Sequence, residues 1–240
     1  MKIAIVIPAY NEENSIGMVL SAIPKEFASQ VVVANNNSSD NTAQIVKDLG
    51  FYVVDESRPG YGSACLKGVE FAEKNFSFDT LVFLDGDYSD YPSEIYKHIE
   101  KLKVANADLV IGSRNLGQAE AGALLPQARF GNWLATSLMN LFTGSKFTDL
   151  GPFRLIKKSA YDAIKMQDTN FGWTMEMQIK AVKLGLHCEE VSVSYRKRVG
   201  ESKISGTVKG SVLAGYKILY TLFRYLVFMP MPKSQVAKKH

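Results

Sequence analysis

Short apolar runs rich in β-branched residues alternate with longer helical patterns through the first half of this 240-residue chain. The apolar runs are KIAIVIPA, QVVVAN, FYVVDE, TLVFLD and DLVIGSR, and the helical patterns lie at 13 to 23, 40 to 48, 62 to 74 and 92 to 104. Near-continuous apolar strands separated by helices are typical of a mostly parallel sheet with helices on both faces. The pattern therefore predicts an α/β, Rossmann-like unit over residues 1 to 115.

The alternation stops beyond residue 115, where the pattern predicts helices and strands in a different order. Helices are expected at 129 to 142 and 174 to 185, and strands at 152 to 157 and 187 to 198. No repeat or low-complexity linker interrupts the chain, so we predict a single domain over residues 1 to 206.

Residues 207 to 240 predict a C-terminal amphipathic helix followed by a basic tail. Lys209, Lys217 and Arg224 fall near one line of this helix, while its other positions are largely apolar or aromatic. Three charges argue against a helix that spans a membrane. Three alternatives stay open: the helix lies on a bilayer surface, packs on the domain, or forms an oligomer interface.

A cluster of carboxylates follows one of the predicted strands, in the stretch LVFLDGDYSDYP. A solvated turn would explain such residues, and Asp90 fits a turn or a helix cap. Asp85 and Asp87 can instead present two hard oxygen ligands to one cation, a set that favours Mg²⁺ or Mn²⁺ with substrate phosphates completing the shell. In doubly wound sheets, ligands bind beyond the carboxyl ends of the strands, which is where this cluster lies.

Composition and charge exclude several classes of protein. The two cysteines suggest neither a disulfide framework nor a four-ligand zinc site, which fits a reducing compartment. The N-terminal apolar run stops at Pro8 without a cleavage pattern, so it predicts a first strand and a cytoplasmic protein. Although the formal net charge is +4, no basic stripe interleaved with aromatics is present, and we expect no nucleic-acid partner.

Seven motifs in one order carry a resemblance to a known family. They are IPAYNEE, NNNSSDNT, RPGYGSACLKG, FLDGDYSDYP, ADLVIGSR, TDLGPFRLIKK and EEVSVSYRKRVGESKISG. The chain resembles glycosyltransferase family 2 enzymes of the GT-A fold, particularly the polyprenyl-phosphate mannose and glucose synthases. The resemblance implies an inverting, metal-dependent transfer of a hexose from UDP- or GDP-hexose to a polyprenyl phosphate. It also implies a nucleotide-binding half at 1 to 115 and an acceptor half at 116 to 206.

The resemblance assigns the donor site residue by residue. The nucleotide-sugar contacts would be Pro8, Tyr10, Glu12, Asn35, Asn36, Gly62, Asp85, Gly86 and Arg114, with Asp85 and Asp87 holding Mg²⁺ or Mn²⁺. Asn35 and Asn36 depart from the acids that relatives carry, which leaves the nucleotide open. Ser89 stands where relatives often place Gln, so a water could fill that ligand position.

The acceptor site follows from the same resemblance. Its phosphate-binding cations would be Arg129, Arg154, Arg198 and Lys203, because Arg binds two phosphate oxygens at once. An acceptor with a neutral hydroxyl would need a general base, for which Glu176 and Asp149 are the candidates beside the catalytic Asp87. Glu176 could instead be a structural partner on a helix buried on one side. A polyprenyl phosphate is already ionised and needs no base, and Trp173 would stack on a sugar or lie in the core.

Other functions remain as alternatives at this stage. The same donor chemistry could serve a soluble hydroxyl acceptor. A sugar-phosphate nucleotidyltransferase would share the metal site, but its first loop should be rich in Gly with Arg and Lys, unlike IPAYNEE. A non-catalytic sugar-nucleotide sensor or membrane scaffold would not need Asp85 and Asp87. A homo-oligomer is compatible with each of these.

Overall fold

The structure, a computed structural model, describes residues 1–200, 215–216 and 219–225. Seven strands form its sheet: β1 (Ile3–Ala9), β2 (Val31–Asn35), β3 (Tyr52–Asp55), β4 (Thr80–Phe83), β5 (Leu109–Ser113), β6 (Arg154–Lys157) and β7 (Cys188–Ser192). The helices are α1 (Ile16–Ala22), α2 (Thr42–Asp48), α3 (Tyr61–Asn75), α4 (Ile95–Val104), α5 (Pro126–Thr143), α6 (Lys158–Ile164) and α7 (Trp173–Lys183). Short 3₁₀ helices span Lys25–Gln30 and Pro92–Glu94.

The strands form one mixed sheet in the order β3-β2-β1-β4-β6-β5-β7. β1 pairs in parallel with both β2 and β4, so the carboxyl ends of these three strands lie at one edge. β6 runs antiparallel to both of its neighbours, β4 and β5. The prediction of a mostly parallel α/β sheet is therefore confirmed, with one reversed strand, β6, inserted between β4 and β5.

Helices cover both faces of the sheet, because successive strand residues point to opposite sides. Ile3, Ile5 and Ile7 of β1 pack with α1 and α4, whereas Ala4 and Val6 pack with α3 and α7. All seven residues of β1 are buried, as expected for a central parallel strand. Two apolar clusters, one per face, thus fix the strand ends that carry the polar loops.

The predicted elements agree best with the observed ones in the first half of the chain. The strands and helices of the first 115 residues are confirmed within a few residues. The pattern missed α6 and the 3₁₀ helix Lys25–Gln30 and placed the start of α5 too late. The predicted strand at 187 to 198 ends early, since β7 stops at Ser192 and Tyr195 continues only as isolated bridges to Asp90 and Ala119.

The C-terminal segment, which we define as residues 215–225, is helical where it is described. Leu222 and Tyr225 are buried in the apolar cluster that contains α7. The Tyr225 hydroxyl donates a hydrogen bond to Glu176 at 2.6 Å, and Lys183 Nζ donates to the Tyr225 carbonyl. One side of this segment therefore packs on the domain, while the remainder of 207 to 240 lies outside the described residues.

Across the part of the chain that the structure describes, we find no helix with the length and apolarity needed to cross a bilayer.

Candidate active site

A pocket of about 420 Å³ opens at the carboxyl edge of β1, β2 and β4. It forms there because parallel strands bring their following loops to the same edge of the sheet. Its lining residues come from five segments: Pro8, Ala9, Tyr10 and Glu12; Asn36 and Asn37; Pro59, Gly60, Tyr61 and Ala64; Asp85, Gly86 and Asp87; and Asn170, Phe171 and Arg198. The structure thus brings together most of the residues that the sequence assigns to the donor.

Asp85 and Asp87 both face this pocket from the loop after β4. The Tyr61 hydroxyl donates to Asp85 Oδ1 at 2.9 Å. Asp87 Oδ1 accepts hydrogen bonds from the backbone N–H and the hydroxyl of Ser89. Burial, followed by repulsion from Asp87, raises the pKa of Asp85 to about 7. Two carboxylates are therefore held side by side at an energetic cost that a cation would relieve.

The residues present fit a magnesium or manganese ion that is shared with a substrate. No group of three or more His, Cys, Asp or Glu side chains gathers into a metal site within the described ranges. An ion at Asp85 and Asp87 would thus take its remaining ligands from water and phosphate, which is how proteins usually bind Mg²⁺. Ser89, the departure noted in the sequence, orients Asp87 through its hydroxyl.

Arg198 brings a positive charge to the same pocket. One of its guanidinium nitrogens lies 3.3 Å from Glu12 Oε1 and 3.3 Å from Asp87 Oδ2. The backbone also joins these segments, because Val199 N–H donates to the Asp87 carbonyl at 3.0 Å. Arg198 is therefore placed where it can bind phosphate oxygens beside the paired carboxylates.

Asn36 uses its amide to hold the loop at 56–60. Its Nδ2 donates to the carbonyls of Glu56 at 3.1 Å and Arg58 at 2.7 Å, and its Oδ1 accepts from Gly60 N–H at 2.8 Å. A carboxylate cannot donate, so an Asp at this position could not make the first two bonds. The departure from the family pattern therefore has a structural reason, and Asn36 still lines the pocket.

Asn35 plays a different part from its neighbour. Its side chain donates to Asp55 Oδ1 at 2.7 Å and does not line the pocket. The nucleotide contact predicted for Asn35 stays a prediction, and any effect on a ligand would pass through the neighbouring loops.

Gly62 shapes the pocket through packing between two backbones. A Cβ atom at Gly62 would lie 2.1 Å from the Asp168 carbonyl oxygen, and Ser63 N–H donates to the Thr169 carbonyl at 2.9 Å. The loop that contains Asp168 and Thr169 therefore packs against the start of α3, which places Asn170 and Phe171 in the pocket wall. Neither residue was predicted from the sequence, since only this long-range contact brings them to the site.

Arg196 is a further residue near the site that the sequence did not predict. Its guanidinium carbon lies 3.4 Å from the centre of the Tyr88 ring and 4.1 Å from that of Tyr91. Its side chain also donates to the carbonyls of Tyr88 and Asp90. Tyr88 has φ 63°, a left-handed conformation that is uncommon for a bulky residue. Arg196 therefore holds the loop that carries both pocket carboxylates.

Arg114 and Asp149 form a buried pair behind the pocket. The guanidinium donates to both carboxylate oxygens, at 2.8 and 2.6 Å, and Arg114 N–H adds a third bond at 2.8 Å. Asp149 is fully buried, and neither residue lines the pocket. The structure does not bring either one to a ligand, so donor binding by Arg114 and base catalysis by Asp149 stay predictions.

Glu176 and Arg154 are also buried, each among polar partners of its own. Glu176 accepts from the backbone N–H groups of Gln167 and Asp168 and pairs with Lys180 at 2.5 Å. Arg154 donates to the carbonyls of Gly151 and Thr174 and to Gln178 Oε1 at 2.9 Å. Neither lines the pocket. These partners favour the structural alternative for Glu176, and base catalysis by Glu176 and acceptor-phosphate binding by Arg154 stay predictions.

The remaining candidates lie elsewhere. Arg129 is exposed on the first turn of α5, and Lys203 lies outside the described residues. Trp173 is fully buried against Phe83, at 4.6 Å between ring centres, which places it in the core rather than against a sugar. Asp90 is buried beneath the loop, and Tyr91 rather than Asp90 is the cap of the next 3₁₀ helix.

Comparison with known proteins agrees with this geometry. The sequence model of Glycosyl transferase family 2 matches residues 4–165. An uncharacterized glycosyltransferase of Mycobacterium tuberculosis is 34% identical over 214 residues, covering 88% of this chain and 94% of that protein. An undecaprenyl-phosphate mannosyltransferase of Micrococcus luteus is 26% identical over 228 residues, covering 89% of this chain and 91% of the relative.

Solved structures show the same fold. Glucosyl-3-phosphoglycerate synthase from Mycobacterium tuberculosis, in complex with phosphoglyceric acid, superposes with a TM-score of 0.73 at 20% identity, covering 95% of this chain and 81% of the other. The same enzyme with Mn²⁺, UDP-glucose and phosphoglyceric acid gives a TM-score of 0.71 at 18% identity, covering 94% and 79%. The fold is that of the GT-A glycosyltransferases, and the chain belongs to glycosyl transferase family 2.

Proposed function

We propose that this chain transfers a hexose from UDP- or GDP-hexose to a polyprenyl phosphate, with inversion and with Mg²⁺ or Mn²⁺ at Asp85 and Asp87. The observation that carries the proposal is the pocket in which these two carboxylates lie beside Arg198. A nucleoside diphosphate needs cations at its phosphates. Arg198 would supply one positive charge directly, and Asp85 and Asp87 would supply ligands for a metal ion.

Different residues of the pocket would bind different parts of the donor. Tyr10 is exposed at the rim and Asn36 fixes the loop opposite, so the nucleoside would lie between the loops after β1 and β2. Asp85 and Asp87 would hold the metal ion, which when bound neutralises charge on the departing diphosphate. Arg198 would bind phosphate oxygens of the donor or the acceptor, while Asn170 and Phe171 bound the space left for the sugar.

The position of the candidate bases favours a phosphate acceptor. A hydroxyl nucleophile needs a general base within hydrogen-bond reach, whereas a phosphate monoester is ionised at neutral pH. Asp149 and Glu176 are fully buried and outside the pocket, each occupied by other partners. The name of the Micrococcus luteus relative points to the same acceptor class. We further propose that the enzyme works at the cytoplasmic face of a membrane, where polyprenyl phosphates would be available.

The test is a transfer assay with purified protein, Mn²⁺ and labelled UDP-glucose, UDP-galactose, GDP-mannose or GDP-glucose. Each donor is offered a polyprenyl phosphate in detergent, phosphoglycerate, or an uncharged sugar alcohol. We expect label in the organic phase with one donor, and an inverted anomeric configuration by NMR. Asp87→Asn should abolish transfer, whereas Asp48→Asn, a change at an exposed carboxylate bonded to Gln44, should not.

Two other outcomes decide against parts of the proposal. Transfer only to phosphoglycerate would favour a soluble phosphorylated acceptor, which is the ligand of the structural neighbour. Transfer only to the sugar alcohol would mean that a base has been overlooked.

A further inference from the structure

Helix α5 is apolar on both of its faces, although only one of them packs on the domain. Ala135, Thr136 and Met139 are buried on the inner face. On the outer face Phe130, Trp133 and Leu141 are exposed by 61%, 59% and 75%. A surface helix of a globular protein normally turns polar residues outward, so this outer face is unusual.

The C-terminal segment extends the same exposed area. Phe142 of α5 and Phe223 form an edge-to-face pair with ring centres 6.5 Å apart. Both rings are about half exposed, as is Tyr220, whose ring stacks on that of Tyr216. We define the aromatic surface as Phe130, Trp133, Leu141, Phe142, Tyr220 and Phe223. So many exposed apolar side chains on neighbouring elements mark an interaction site.

The two chain segments that contain the residues of the aromatic surface carry charges of one sign. Residues 121 to 148 contain no Asp or Glu, and neither do residues 202 to 240. These two segments hold nine of the 28 Lys and Arg residues, so the rest of the chain has 19 basic and 24 acidic residues. The basic residues near the described part of the surface include the exposed Arg129, Lys146 and Arg224. The surplus positive charge of the protein therefore falls in these two segments of the sequence.

We propose that the aromatic surface docks on an anionic phospholipid bilayer. Exposed Trp, Tyr and Phe suit the interface between headgroups and acyl chains, and flanking Lys and Arg are attracted to anionic headgroups. An interface with a second copy would explain the aromatics but would bring like charges together. The surface rests on α5 as well as on the C-terminal segment, so it exceeds the C-terminal helix predicted from the sequence.

Helix α5 contacts the loop that contains Asp149. Asn132 of α5 donates to the Thr148 carbonyl at 3.1 Å and accepts from Leu150 N–H at 2.8 Å. Between these residues lies Asp149, which pairs with Arg114. A bilayer at the outer face of α5 would, in this proposal, be the source of the lipid-linked phosphate acceptor. Only this last step rests on the proposed function.

The test is cosedimentation of the full chain with two kinds of vesicle. One kind is phosphatidylcholine alone, and the other contains about 30% phosphatidylglycerol, which makes the membrane moderately anionic. We expect pelleting with the anionic vesicles that falls at high salt. Phe130→Ser combined with Trp133→Ser should weaken vesicle binding about tenfold. The matched control removes two exposed apolar side chains elsewhere, Leu49→Ser and Val104→Ser, and should bind like the parent.

A second variant controls for the case in which the first variant misfolds. Arg129→Gln with Lys146→Gln changes only exposed side chains, and it should weaken binding to anionic vesicles while leaving the melting temperature unchanged. Equal pelleting of all variants would overturn the proposal. So would a parent dimer in light scattering that the Phe130 and Trp133 changes convert to monomer, because a second copy would then cover the surface.

The transfer assay separates this inference from the proposed function. Vesicle binding without transfer to polyprenyl phosphate would leave the docking surface in place and reject the acceptor. Transfer in detergent without vesicle binding would keep the acceptor and reject the docking surface.

Discussion

Arg196 offers the sharpest test of how the fold holds its carboxylates. Replacing Arg196 by Met keeps an unbranched stem of similar reach but removes the guanidinium. The change takes away the bonds to the Tyr88 and Asp90 carbonyls and the stacking on the Tyr88 and Tyr91 rings. The loop between Asp87 and Asp90 would then lose the group that holds Tyr88 in its left-handed conformation.

The magnitude follows from these contacts. Hydrogen bonds that involve a charged group contribute about 1.5 to 3 kcal/mol each, and a cation above an aromatic ring contributes about 0.5 to 1 kcal/mol at a partly exposed site. Because Arg196 is only half-buried and water can reach the freed carbonyls, we take the low end and expect a loss of about 3 kcal/mol. For a chain of this size, that loss lowers the melting temperature by about 6 to 12 °C.

Two measurements check this prediction. Thermal unfolding gives the stability, and a Mn²⁺ titration of donor turnover gives the apparent metal affinity, which we expect to fall about tenfold as the loop loosens. Lys197→Met is the matched control, because Lys197 is the adjacent residue and its side chain is exposed. An unchanged melting temperature would refute the energetic reasoning. A lower melting temperature with an unchanged Mn²⁺ requirement would show that Arg196 stabilises the fold without positioning the carboxylates.

Three further predictions concern single residues. Asp87→Asn should reduce donor turnover by orders of magnitude with little change in melting temperature, since it removes a charged ligand and keeps the shape; full activity, or activity in excess chelator, would contradict the metal role. Asn36→Ala should weaken nucleotide binding by about 1 to 3 kcal/mol in calorimetry, because the loop at 56–60 loses three hydrogen bonds; unchanged affinity would remove this loop from the nucleotide site. Burial lowers the pKa of His98 to about 4, below the value of about 6.5 in an unfolded chain, so the unfolded state binds more protons between these pH values. Stability should therefore fall by about 3 kcal/mol as the pH drops through this window, and urea unfolding of His98→Phe should show a flatter acid limb; the same slope in both proteins would exclude His98 as the cause.

Local sequence pattern predicted the first half of the fold well. Strands such as β1 and β4 are nearly continuous apolar runs that end shortly before the polar residues Asn11 and Asp85, so both their type and their approximate ends can be read from neighbouring residues. The place of β6 between β4 and β5 could not be predicted in this way. Strand order depends on pairing between residues distant in sequence, as in the Val82–Leu155 and Val110–Leu155 registers.

The same distinction separates the site residues. The sequence placed Pro8, Asp85 and Asp87 in the pocket because ligands of such sheets bind at the carboxyl ends of parallel strands, and these ends can be located from the sequence. The surroundings of Glu176 could not be predicted, since its partners Gln167, Lys180 and Tyr225 are brought together only by the packing of α7. A charged residue in a matched motif therefore gave no indication of whether it would face a ligand or the core.

The three acids after β4, Asp85, Asp87 and Asp90, influence one another's pKa values. Asp85 and Asp87 face the pocket, while Asp90 is buried beneath them, and neither of its carboxylate oxygens has a hydrogen-bond partner among the described residues. Burial and the charges of Asp85 and Asp87 raise the pKa of Asp90 well above its usual value. Burial, followed by repulsion from Asp87, also raises the pKa of Asp85, and the charges of Arg198 and Arg114 lower it only in part. A cation at Asp85 and Asp87 would stabilise the ionised forms of these carboxylates and so offset the cost of burying them side by side.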